Sequence, residues 1–152
     1  MIAEKIKPDL EKLYEEDENL WLFENAKLLE EGKINEVDWK HIREELELMG
    51  KSQHREVESR FIVLLKHLLK WKYQKEKRTP SWKATIEEQR DELVTIFHES
   101  KNLSNYATDN QNRFYERARR YTSTETELPI GIFPENSPFT LEQVLNQNYL
   151  PE

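Results

Sequence analysis

Apolar residues recur along most of this chain at three- and four-residue intervals, the signature of helices with one buried face. Leu10, Leu13, Tyr14, Leu20, Trp21, Phe23, Leu28 and Leu29 begin the pattern. Asp17 is placed to cap a helix running to about Glu31, and Gly32 supplies its stop. Asp38 caps the next helix, DWKHIREELELMG, with a buried stripe expected at Trp39, Ile42, Leu46 and Met49 and an end at Gly50. Ser52 restarts the chain into a long helix to about Tyr73. Its face of Val57, Phe61, Leu64, Leu65, Leu68 and Trp71, widened by Ile62, Val63 and Leu69, predicts the central helix, in contact with more than one neighbour. Thr79 before Pro80 reads as the cap and first residue of a fourth helix, which carries Trp82, Ile86, Leu93, Ile96 and Phe97 to about Glu99. A fifth, near Leu103 to Thr124, carries Tyr106, Ala107, Phe114, Ala118 and Tyr121.

After Glu127 the periodicity stops. LPIGIFPENSP holds three Pro and one Gly in eleven residues, which excludes regular helix. Leu128, Ile130, Ile132 and Phe133 are expected to pin this stretch to the helices, and Thr140 caps a short last helix, TLEQVLNQ. The pattern predicts an all-α fold, a mostly antiparallel bundle of about five helices with an extended Pro-containing C-terminal strap over 127–139 and a short last helix. Residues 1–152 read as a single helical domain, with 1–9 as a frayed end.

Composition sharpens this picture. Three Gly and six Pro in 152 residues, with 35% charged side chains, favour helix over sheet. The hydrophobic fraction is only 36%, but four Trp, six Tyr and six Phe each bury a large area, so the chain is globular rather than disordered. Cysteine is absent, which excludes disulfides, thiolate metal sites and a Cys nucleophile and fits a reducing compartment. No apolar run approaches the roughly 18 residues of a membrane span, and the first twenty residues lack the apolar core of a secretory signal. The expected setting is therefore cytoplasmic, with no membrane contact.

Charge changes the picture further. The net charge is −7, yet it is unevenly spread: −8 over residues 1–50, +6 over 51–90 and −5 over 91–152. The basic maximum is KHLLKWKYQKEKRTPSWK, residues 66–83, with Trp71, Tyr73 and Trp82 among its cations. Lys70, Lys72, Lys75, Lys77 and Arg78 are the candidates for nucleic-acid or phosphate binding, with the indoles stacking on bases. The overall acidity and the core-like spacing of the indoles favour pairing within the fold instead.

The candidate chemistry is sparse. His67 lies beside Leu64, Leu68 and Trp71, where an antiparallel neighbour would bring Glu87 or Arg90 near it. With Lys70, that set would suit a phosphodiester hydrolase or ribonuclease; the plainer reading is a hydrogen-bonded packing histidine. His41 with Glu45, and His54 with Glu58, are four residues apart and read as helix contacts rather than metal ligands. Glu44, Glu45 and Glu47 are expected to pair with Arg55, Arg60 or Arg90. Arg113, Arg117 and Arg120 share a helix face able to clamp a carboxylate or phosphate, with pairing to Asp109, Glu116 and Glu125 preferred. There is no glycine-rich phosphate loop, GxSxG elbow, HExxH or Cys/His zinc spacing, and no metal or cofactor is expected.

Several segments in order, WLFENAKLLEEGK, VDWKHIREELELMGKS, LLKHLLKW, SWKATIEEQR and SPFTLEQVL ending in NYLP, resemble the domain-of-unknown-function family number twenty-nine. The likeness spans about residues 10 to 151. It implies an all-helical bundle of bacterial origin with no assigned activity, and it carries over no catalytic residue. The family often has Cys before the Pro near the C-terminus, where this chain has Ser137, so a thiol role is excluded. The expected function is a non-enzymatic protein-interaction or regulatory module, adaptor or antitoxin-like, with a protein partner. Self-association is expected if Phe133, Phe139 and Tyr149 stay uncovered.

Overall fold

A computed structural model describes residues 9–152. The frayed end expected at residues 1–9 therefore lies outside the described residues except for Asp9, which caps the first helix. Six α-helices and no strands occur among the described residues: α1 Leu10–Glu16, α2 Glu18–Glu30, α3 Trp39–Tyr73, α4 Pro80–Glu99, α5 Lys101–Thr126 and α6 Leu141–Leu145. The all-α expectation holds. Among the described residues no helix is long and apolar enough to cross a membrane.

Local chemistry accounts for most helix ends. Asp17 accepts from the Leu20 amide and starts α2. Gly32, at φ +72°, takes the left-handed conformation that ends the turn after it. Thr79 accepts from the Trp82 amide ahead of Pro80. At α6, Thr140 and Gln143 exchange hydrogen bonds with each other's backbone amides.

Gly50 does not stop a helix. The two segments expected to end there and restart at Ser52 form one 35-residue helix, α3. An interior Gly costs about 1 kcal/mol relative to Ala; the Glu, Leu, Lys and Gln residues around it favour helix and carry the ladder through.

The chain divides between Lys51 and Ser52 into two compact units. In the first, α2 seats against the start of α3 through buried Trp21, Asn25, Val37 and Asp38. In the second, the core is Val57, Phe61, Leu64, Leu65, Leu68 and Leu69 of α3, Ile86 and Leu93 of α4, and Leu103, Ala107, Phe114 and Ala118 of α5. The contact register gives the directions. Moving up α3, Glu58 and then Lys70 meet Arg113 and then Glu125 of α5, so these helices run parallel. Arg60 and then Lys70 meet Glu92 and then Trp82 of α4, which runs antiparallel to α3.

Arginines fasten the C-terminal strap and the residues that follow it. Arg119 donates to the carbonyls of Phe133 and Ile130 at 2.9 and 3.2 Å. Arg90, 1% exposed, donates to those of Val144, Tyr149 and Gln143 at 2.7, 2.8 and 3.0 Å. Arg78 reaches the Pro151 carbonyl. Of the apolar residues expected to pin the strap, Phe133 is buried and Leu128 packs on the core, while Ile130 and Ile132 remain exposed. Phe139 is buried and Tyr149 packs on the core, so these aromatics offer no open patch for self-association.

Candidate functional site

The stripe expected to be buried on the second predicted helix is instead open. Trp39 is 52% exposed, Leu46 64% and Met49 62%, with Ile42 half-buried between them. The residues follow one another at intervals of three, four and three, so they share one face of the first turns of α3. Such spacing is that of a helix–helix seam. Nine of the thirteen large hydrophobic side chains found exposed among the described residues lie between Leu20 and Met49; scattered exposure is normal, concentration is not. Phe23 and Leu22 of α2 belong to the same set.

A polar network ties α1 and α2 to the start of α3. Asp38, buried at the start of α3, accepts from Trp21 Nε1 at 3.0 Å, from His41 Nδ1 at 2.7 Å and from the His41 amide. Its own amide donates to Asn25 Oδ1, and Asn25 Nδ2 donates to the Trp21 carbonyl. Burial opposes ionisation of Asp38, but the bonds from His41 and Trp21 outweigh it and hold the carboxyl below its ordinary range. Tyr14 stacks on the His41 ring at 4.2 Å and donates to Glu45 at 2.5 Å, and that bond pushes its phenol up to about 12. An aspartate orienting a histidine resembles a proton-transfer pair. Here the imidazole is covered by Tyr14 and Trp21, so the pair acts as an anchor for α2.

This network corrects the reading of His41 and Glu45 as partners: His41 meets Asp38, and Glu45 meets Tyr14. The sequence held the signal, since Asp38 and His41 occupy the cap and third position of a helix, where the side chains share one turn. His54 likewise stacks on Tyr106 at 4.1 Å, leaving Glu58 to Arg113 and Arg117. Glu47 pairs with Arg43 rather than with Arg55, Arg60 or Arg90.

Of the hydrolase candidates, His67 and Lys70 are charge neighbours, but His67 is bonded to neither Glu87 nor Arg90. His67 Nδ1 donates to the Val63 carbonyl at 2.8 Å. Burial depresses its basicity, and its charged neighbours are Lys70, Glu125 and Lys66. Glu87 and Arg90 line a cavity with Lys83, Asp91 and Gln147 that His67 does not line, and Arg90 donates to carbonyls of α6 and the chain after it. Among the described residues no hydrogen bond or ion pair joins His67 to Glu87 or Arg90.

The basic segment is partly consumed inside the fold. Lys66 and Lys70 both bind Glu125, at 2.9 and 3.0 Å, and Lys70 also stands 4.7 Å over Trp82. Arg78 lies over Trp71 at 4.8 Å and donates to the Trp71 carbonyl. Lys72 leans on Tyr73, while Lys75 and Lys77 are exposed. One cation thus stands over each indole, on a face where a base could otherwise stack. Among the described residues no three His, Asp or Glu converge as metal ligands would.

The family model described as Domain of unknown function DUF29 matches residues 13–150. No curated protein and no solved structure matches the chain.

Proposed function

Because the chain belongs to the family described as Domain of unknown function DUF29, for which the fold supplies no reaction, we propose that this member is a protein-interaction module. Its N-terminal unit docks a basic amphipathic helix of a partner protein along Trp39, Ile42, Leu46 and Met49. The observation that carries this reading is the posture of Trp39: half its surface faces solvent while its indole N–H is bound to the Ile34 carbonyl at 3.0 Å. A large aromatic held in place before binding loses little conformational freedom on contact, the usual property of a binding hot spot.

The seam spacing favours a helix as the occupant, laid apolar face to apolar face. Charge favours a basic one. Residues 9–51 carry fourteen Asp and Glu against six Lys and Arg. Two copies of such a unit repel, whereas Lys and Arg flanking an apolar stripe complement it.

The test uses two labelled helical peptides with leucine at the seam positions, one flanked by Lys and Arg, the other by Glu. Fluorescence anisotropy with the full chain is expected to give a dissociation constant of about 1–100 μM for the basic peptide, weakened by salt. The acidic peptide is expected not to bind. Equal binding of both peptides, no loss of affinity in Leu46→Glu/Met49→Glu, or dimerisation of the protein alone through this face in sedimentation would overturn the reading.

A further inference from the structure

Within the C-terminal unit, a groove between α3 and α5 holds more positive charge than its carboxylates neutralise. The cavity, about 400 Å³, is lined by Arg55, Glu58, Ser59 and Lys66 on one side and Arg117 and Tyr121 on the other, over an apolar floor that includes Ile62. Glu58 accepts from Arg113 at 3.0 Å and also from Arg117, so one carboxylate faces two guanidinium groups. Glu125 is likewise shared by Lys66 and Lys70. Arg55 has no hydrogen-bond or ion-pair partner among the described residues. The groove's own lining sets three cations, Arg55, Lys66 and Arg117, against one carboxylate, Glu58.

The donors are already aimed. Arg117 is fixed by Nη2 and Nε bonds to the Tyr121 hydroxyl at 2.9 and 3.3 Å, besides its bond to Glu58. It keeps N–H groups beyond these, as Lys66 does beyond its bond to Glu125, and Arg55 keeps all of its own. The Tyr121 ring is flanked by the guanidinium groups of Arg117 and Arg120, each 5.7 Å from its centre.

We propose that this groove binds a small-molecule phosphomonoester whose phosphate sits among Arg55, Lys66 and Arg117 and whose body lies on the apolar floor of Ile62 and Val63. A phosphomonoester carries a charge of about −1.5 to −2 at neutral pH, which suits a surplus of this size better than the single charge of a carboxylate. The volume lies within the range of small-molecule sites, about 300–1,000 Å³. The apolar floor gives a reason for an organic body rather than the bare ion. This site is independent of the docking seam, and neither proposal requires the other.

The full chain is titrated at low salt with phenyl phosphate, benzoate and inorganic phosphate, followed by amide chemical shifts. The expected result is saturable shifts centred on Arg55, Ser59, Lys66, Arg117 and Tyr121, with phenyl phosphate bound about tenfold more tightly than either other probe. Arg55→Gln is expected to weaken phenyl phosphate by about tenfold without moving the melting temperature, and Arg117→Gln to weaken it by a similar factor. Lys75→Gln is expected to leave binding unchanged. The exposed Arg55, free of internal partners, keeps the test decisive if Arg117→Gln unfolds the protein. Non-saturating shifts, shifts spread over all basic residues, benzoate binding as tight as phenyl phosphate, or unchanged affinity in Arg55→Gln would each overturn the proposal.

Discussion

Trp39 donates its indole N–H to the Ile34 carbonyl at 3.0 Å and thereby holds an open aromatic face against the bend that precedes α3. The bond links the start of the long helix to the short 3-10 turn at Ile34–Glu36. It fixes Trp39 at the head of the exposed stripe.

If the stripe packs against nothing in the free protein, polar substitutions there cost little stability. Leu46→Glu and Met49→Glu are each expected to stay within about 0.5 kcal/mol of the parent. Leu64→Ala, by contrast, truncates a fully buried side chain of the same helix and is expected to cost about 2–5 kcal/mol. Urea denaturation measures both. A loss above about 2 kcal/mol for Leu46→Glu would mean that the stripe is internally packed.

The helical skeleton was legible because its punctuation is local. Thr79–Pro80, Asp17, Gly32 and Thr140 act within one turn of themselves, so composition and position sufficed. Gly50 misled because a weak local preference competes with the favourable helix on either side of it. The stripe misled for a different reason. Periodicity reports that a helix has an apolar face, but not whether the fold supplies anything to cover it. Arg90 was out of reach too: its partners are carbonyls more than fifty residues away, and backbone acceptors carry no sequence signature. The surplus of cations around the α3–α5 groove was half legible, since Arg113 and Arg117 share a face in the sequence, but their meeting at Glu58 required the parallel register of α3 and α5.

Arg90 fastens α6 and the chain after it. Arg90→Leu leaves three carbonyls without their donor and is expected to destabilise the protein by about 3 kcal/mol or more. Arg90→Lys is expected to recover only part of this, because an ammonium cannot reproduce the planar fork that reaches Val144, Gln143 and Tyr149. Hydrogen exchange should show Val144 and Tyr149 losing protection before the α3 core does. Full recovery by Lys would contradict the fork geometry.

His67 is held with its imidazole neutral by burial, which lowers its pKa from the ordinary 6.5 despite the favourable Val63 carbonyl. The unfolded chain then binds more protons than the folded one just below pH 6.5, so stability rises with pH there. The contribution is complete above that pH and is lost as pH falls toward the depressed folded value. His67→Gln is expected to flatten this part of the stability–pH curve, followed by denaturation at several pH values. A slope identical to the parent's would remove the assignment.

Glu125 behaves in the opposite range. The bond from Lys66 is the main influence and, with Lys70, lowers its carboxyl to about 2, against the effect of burial. A depressed acid stabilises the fold above its unfolded value, 4.5, and loses that contribution as pH falls through about 2. Nearly half the side chain is exposed, so solvent screening limits the effect to about 1 kcal/mol. Glu125→Gln is expected to lower stability at pH 7 and to have little effect near pH 2. Equal destabilisation at both pH values would show that the loss is steric rather than ionic.

The most direct test of the docking account is an amide shift map of the full chain titrated with the basic amphipathic peptide. The account predicts saturable shifts concentrated between Trp39 and Met49, including the Trp39 indole N–H, and their absence in Leu46→Glu/Met49→Glu. Shifts centred on the second unit, or none at a peptide concentration that saturates anisotropy, would contradict it.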